Sequence, residues 1–81
     1  MTLQQLRWRC RRGTKELDLV LGRFVEEGGF EQLDASGQAA FYDLLEQEDH
    51  LLQEWLIFGS DPTEGELARI VERIRQSMYK S

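Results

Sequence analysis

The chain has 81 residues, of which 41% are hydrophobic and 31% charged, the balance of a small soluble globular domain rather than a disordered chain. Its net charge of -5 hides a segregation: Arg7, Arg9, Arg11, Arg12 and Lys15 fill the first fifteen positions without an acid, whereas Glu16 to Glu66 holds fourteen acids and one base, Arg23. That acidic bulk repels phosphates and speaks against nucleic acid as a partner, the lone Cys10 can form no internal disulfide, and no apolar run reaches the ~20 residues of a membrane span.

One all-α domain over residues 1–81 is expected, four to five short helices in a bundle or array. No secretory leader is expected either, which makes the cytoplasm the predicted compartment. Thr2 and Gln5 form a capping-box pattern at the start of a first helix. Leu3, Leu6 and Cys10 then recur at helical spacing, so Cys10 is expected as a small buried apolar residue. Trp8 falls off that line. It is either a lid on the edge of the core or an exposed aromatic anchor.

A second helix is expected from about Thr14 to Glu27. Its stripe of Leu17, Val20, Leu21, Phe24 and Val25 follows the i, i+3, i+4, i+7, i+8 pattern. Gly28-Gly29 ends it. Gly22 lies inside it at a cost of about 1 kcal/mol relative to alanine, for which a close helix crossing is the expected reason. Phe30 and Leu33 can tuck back onto the core. Asp34 caps a third helix reaching about Gln47, with Ala40, Phe41, Leu44 and Leu45 facing inward. A fourth runs from Asp49, read as its cap, to Phe58, with Leu51, Leu52, Trp55, Leu56 and Phe58 on a broad apolar face. Asp61-Pro62-Thr63-Glu64 starts a fifth at the proline. That helix carries Leu67, Ile70, Val71, Ile74 and Met78 on one side. No strand is expected.

No catalytic constellation can be assembled. His50, beside Asp43, Glu46 and Asp49, fits neither an HExxH helix nor an EF-hand loop, so no metal site is expected. Ser36, Ser60 and Ser77 lack a nearby base. The glycines lack the strand–loop–helix context of a phosphate loop. What remains is a surface at Arg11 to Asp18, where a cationic segment breaks at Gly13 and the second helix begins. Arg12 can fork onto a partner's carboxylate or carbonyls, Glu16 can accept from a basic group or amides, and Gly13 leaves the gap between them open. The alternative is an internal Arg12–Glu16 pair supporting the helix start.

Arg12-Gly13-x-x-Glu16, within Arg11-Arg12-Gly13-Thr14-Lys15-Glu16-Leu17-Asp18, resembles the RGxxE signature of the FAD assembly factors of succinate dehydrogenase. Their mitochondrial relatives are called succinate dehydrogenase assembly factor 2. Trp8, the stretch 19–24, the stretch 41–46 and the stretch 49–56 ending at Gly59 are similar to the family pattern as well. Thr14 departs from it, since the family commonly has methionine there.

The resemblance implies a five-helix fold and an assembly chaperone rather than an enzyme. Such a chaperone promotes covalent attachment of FAD to the flavoprotein subunit of succinate dehydrogenase and, in some bacteria, of fumarate reductase. The bond forms inside the partner, between one of its histidines and the isoalloxazine 8α-methyl, so no FAD is held tightly by the chaperone itself. Arg12, Gly13 and Glu16, flanked by Trp8, Arg9, Arg11 and Asp18, are the expected partner-binding residues. No catalytic residue is expected. A regulatory, antitoxin-like protein with a different partner stands as the alternative. The face around Trp55 and Phe58 leaves monomer and weak homodimer both open.

Overall fold

Helices of this length are marginal at best alone in water, so the architecture is a matter of how five amphipathic faces meet. The computed structural model describes residues 2–79, apart from the side chains of Leu3 and Tyr79. The part expected of Leu3 in the core therefore lies outside the described residues. The helices are α1 (Leu3–Arg9), α2 (Lys15–Glu26), α3 (Ala35–Leu45), α4 (Asp49–Leu56) and α5 (Gly65–Tyr79). No strand occurs among the described residues. The all-α class and the helix order agree with the expectation.

The longest helix, α5, is the centre of the packing and meets α2, α3 and α4. Its Leu67, Ile70, Val71 and Ile74 join Leu6 and Cys10 of the α1 end, Leu17, Leu21, Phe24 and Val25 of α2, Ala40, Phe41, Leu44 and Leu45 of α3, and Leu52 and Leu56 of α4 in one core. Phe30, from the α2–α3 connection, closes an aromatic cluster with ring centroids 5.6 Å apart for Phe24–Phe41 and 5.5 Å for Phe30–Phe41. Phe30 also lies 5.5 Å from Tyr42. These separations suit offset or edge-on aromatic contact.

Local signals set most helix ends. Thr2 and Gln5 form the full capping box. Asp34 accepts from the Gly37 amide at 2.8 Å. Gly28, at φ 83°, supplies the left-handed turn after α2, with the Gly29 amide donating to the Phe24 carbonyl at 2.9 Å.

Several expectations are corrected. Gly22 sits at no helix crossing: a Cβ there would meet nothing within 4 Å, because the residue lies on the outer side of α2. α3 ends at Leu45 rather than Gln47. Glu48 takes the cap position of α4, without a side-chain bond, and Asp49 is the first helical residue. α4 ends at Leu56, which leaves Phe58 beyond the helix and 73% exposed rather than on its buried face. α5 begins at Gly65, three residues past the expected proline, and Pro62 is buried in the connection. The reason is visible at Asp61. Its carboxylate, expected as a cap, accepts instead from Arg75 at 2.6 Å.

Candidate functional site

The residues singled out for partner binding run from the end of α1 through the connection into the first turn of α2, and the shape of this stretch is set by tethers that run both locally and across the fold. Trp8, on the outer side of α1, is 71% exposed, which selects the anchor over the lid. Arg11 is exposed, as is Arg7. Together with Trp8 they wall a shallow groove whose other side is Asp18, Gly22 and Glu26 of α2. Gly22, having no side chain, leaves that groove open, and Leu19 beside it is 64% exposed. Glu16 stands exposed in the first turn of α2.

Arg12 points the other way. Its side chain is only 16% exposed, and its guanidinium spans the corner where α3 ends and α4 begins. Nε donates to Asp49 Oδ1 at 2.7 Å, Nη1 to the Leu45 carbonyl at 2.9 Å, and Nη2 to the Gln47 carbonyl at 2.8 Å. The Leu45 carbonyl lies at the α3 C-terminus, where helix geometry leaves acceptors without partners and the dipole favours a cation, and that of Gln47 lies in the connection just beyond it. The pair with Glu16 that the sequence left open is therefore not formed. Asp49 is the internal partner instead.

The same Asp49 holds Gly13. Its Oδ2 accepts from the Gly13 amide at 3.0 Å. A Cβ on Gly13 would approach that oxygen to 3.3 Å, so the glycine makes room for the carboxylate as well as for the surface outside. The Arg12 amide donates to Asp18, which places that residue beneath the segment as an internal acceptor. Arg9 pairs with Glu46 on the same α3–α4 corner. The seven expected residues are neighbours in sequence, but the structure divides their directions. Trp8, Arg11 and Glu16 face outward, Arg9 pairs with Glu46 at the surface, Arg12 and Asp18 bond inward, and Gly13 lies at the boundary.

The charges follow from these contacts. The Arg12 hydrogen bond, then the Gly13 amide, hold the Asp49 carboxyl below its ordinary value, against a smaller opposing effect of burial. Arg9 does the same for Glu46. Burial pushes the Cys10 thiol up to about 11, while the charge of Arg12 pulls weakly the other way. A thiol so placed is a packing residue and not a nucleophile. His50 lies exposed with Nδ1 3.2 Å from Glu48. No group of three or more metal-ligating side chains occurs among the described residues.

Sequence reasoning missed Asp49 and Glu46 as partners of the arginines, and the Leu45 and Gln47 carbonyls. They stand 33 to 37 positions from their arginines, and nothing local marks them. One observation at the segment's edge is unfavourable: the Thr14 hydroxyl is buried without a hydrogen-bond partner.

Comparison with known proteins completes the description. A family model described as flavinator of succinate dehydrogenase matches residues 4–78. The chain is similar to the FAD assembly factor SdhE of Coxiella burnetii, at 41% identity over 73 residues, covering 90% of this chain and 88% of that one. It is 42% identical over 72 residues to the protein of the same name in Pseudomonas aeruginosa, covering 89% and 84% of the two chains. For that of Legionella pneumophila strain Lens the identity is 42% over 71 residues, covering 88% and 87%. No solved structure matches.

Proposed function

Because the chain belongs to the family of succinate dehydrogenase flavinators, we propose that it is an assembly chaperone for covalent FAD attachment. It binds the flavoprotein subunit of succinate dehydrogenase, in the cytoplasm and as a monomer or weak homodimer. The flavoprotein subunit of fumarate reductase is a second client of the same chemistry. The observation that carries this reading is the family match across residues 4–78. The exposed rim at Trp8, Arg11, Gly13 and Glu16 supplies the surface such a role requires.

The chain is not an enzyme, and FAD is the partner's cofactor rather than its own. A partner histidine and the flavin methyl carbon must be brought to attack geometry, and effective concentrations of oriented groups show how much rate such positioning can supply. The chaperone contributes by docking on the flavoprotein near its FAD site and holding its parts in that alignment. Aromatic Trp8 provides a broad, rigid contact. Arg11 and Glu16 offer opposite charges on either side of Gly13, which fixes the register of a complementary partner more than it adds raw affinity.

Deleting the chain and reading in-gel flavin fluorescence of the denatured flavoprotein tests the proposal. Loss of the covalent signal, restored by the expressed chain, is expected. An unchanged signal overturns it. Pull-down of a small membrane toxin without any flavoprotein points instead to the regulatory alternative.

A further inference from the structure

We infer that Asp49 is the positioning residue of the docking surface: its two carboxylate oxygens hold the Arg12 side chain and the Gly13 amide, so that Arg12 serves recognition through Asp49 and not by gripping the flavoprotein itself. The inference rests on the chaperone reading above and deepens it.

The geometry argues this from both ends. At the arginine, Nε and both terminal nitrogens each already donate, to Asp49, Leu45 and Gln47, at 2.7 to 2.9 Å. The fork that bidentate recognition uses is made of adjacent N–H groups, and each edge of this guanidinium has given one up. A bidentate grip on a partner carboxylate therefore requires breaking a charge-assisted bond that is already formed. The side chain is also mostly covered. At the glycine, the amide is tied to Oδ2 of the same carboxylate. Two consecutive residues of the motif are thus fastened to one acid on α4.

The segment has few other anchors. Thr14 stands at the cap position of α2 but makes no side-chain cap bond. Besides the Asp49 bonds, the Arg12 amide is held by Asp18, and Arg11 by a backbone bond to Trp8. Removing Asp49 frees the Gly13 amide and takes the Nε bond from Arg12, whose remaining bonds to the Leu45 and Gln47 carbonyls no longer fix the angle of the guanidinium, while the core side chains are left untouched. Glu16 and Arg11 then stand on either side of a segment whose path is no longer fixed.

The experiment measures affinity for the purified flavoprotein subunit lacking covalent flavin, using the full chain and its Asp49→Ala, Asp49→Asn, Arg12→Ala and Arg12→Ala/Asp49→Ala variants. Each single alanine variant is expected to weaken binding about tenfold and the double variant no further, because coupled residues are not additive. Asp49→Asn is expected between parent and alanine, since its amide oxygen replaces one acceptor and its amide nitrogen opposes the other donor.

Amide hydrogen exchange separates positioning from general loosening. In Asp49→Asn, Gly13 and Thr14 exchange faster while the amides of α5 keep the parent rates. Affinity losses that multiply in the double variant, or Asp49→Ala binding within twofold of parent while Arg12→Ala fails, overturn the inference and leave the chaperone reading standing. Uniformly faster exchange overturns it too. A parent chain that does not bind the flavoprotein sinks both.

Discussion

Substituting Gly13 separates the surface role of the segment from its structural one. Gly13 is exposed, and its backbone is not in the left-handed region, which among the described glycines is occupied by Gly28 and Gly59. A side chain is therefore conformationally acceptable there. The steric cost is confined to the Cβ, which would meet Asp49 Oδ2 at 3.3 Å, an oxygen that also accepts from the Gly13 amide at 3.0 Å. The carboxylate must give by a few tenths of an ångström, weakening bonds worth about 1 kcal/mol net each.

Restricting the unfolded chain returns roughly 0.4–1 kcal/mol. The net change in stability for Gly13→Ala or Gly13→Arg is thus expected within about 1 kcal/mol, or at most ~4–8 °C in Tm for a domain of this size. Docking responds differently. The arginine projects outward into the space proposed for the flavoprotein, and overpacking of a close-fitting surface costs about 1–3 kcal/mol, or roughly 5- to 150-fold in affinity. Thermal unfolding by circular dichroism and binding to the flavoprotein subunit read the two effects separately. Gly13→Arg binding within twofold of parent refutes the open-gap reasoning. So does Gly13→Ala losing as much affinity as Gly13→Arg.

Two helix-associated glycines are expected to answer in opposite directions to alanine. Gly22→Ala should stabilise by about 0.5–1 kcal/mol, because it lies inside α2 with open space beside it. Gly29→Ala should destabilise by about 1–3 kcal/mol, because its Cβ would fall 2.5 Å from the Phe24 ring. Urea midpoints decide both, and equal signs contradict the contact geometry. Thr14→Val should stabilise by about 1 kcal/mol, since it removes a buried hydroxyl without a partner. A lower midpoint would show that the hydroxyl is bonded in solution.

Acid unfolding tests the arginine–carboxylate contacts. Asp49 and Glu46 have folded values below their ordinary ones, so between the two values the unfolded chain binds more protons and stability rises with pH. Their contribution is fully present above about pH 5 and fades as pH falls through the lower folded values. Asp49→Asn should therefore flatten part of the decline below pH 5, measured by urea midpoints. A parent-like slope in the variant contradicts the assignment.

What could be read in advance was whatever one or two turns of helix determine. The capping box at Thr2 and Gln5, the Asp34 cap, the glycine stop at Gly28 and the α2 stripe all involve neighbours within five positions. The burial of Cys10 followed from the same periodicity. The misses share a cause. Asp49 and Asp61 are acids at helix starts, where a cap contributes about 1 kcal/mol. Both were claimed by an arginine, 37 and 14 positions away, in charge-assisted bonds, which are shorter and stronger than neutral ones. The stronger bond took the carboxylate, and periodicity carries no trace of it. Gly22 and Trp8 depended on which side of a helix its neighbours leave open, which only the packed structure decides.

The two arginines impose a common logic on α4. With eight residues, this helix cannot stand by its own backbone bonding, and Glu48 gives it no side-chain cap. Arg12 ties its beginning to the end of α3. Arg75 reaches its other end through the Trp55 and Ser60 carbonyls and Asp61. Arg12 therefore belongs at once to the docking segment and to the support of a core helix that buries Leu52 and Leu56. Loss of function in an Arg12 variant does not by itself identify a contact with the flavoprotein, because the same substitution releases α4. Glu16 carries no such double duty. It is exposed, makes no hydrogen bond or ion pair among the described residues, and lies outside the Asp49 tether. A binding defect in Glu16→Ala at unchanged thermal stability is thus the cleaner evidence of direct contact, and the motif's arginine is best interpreted after its glutamate.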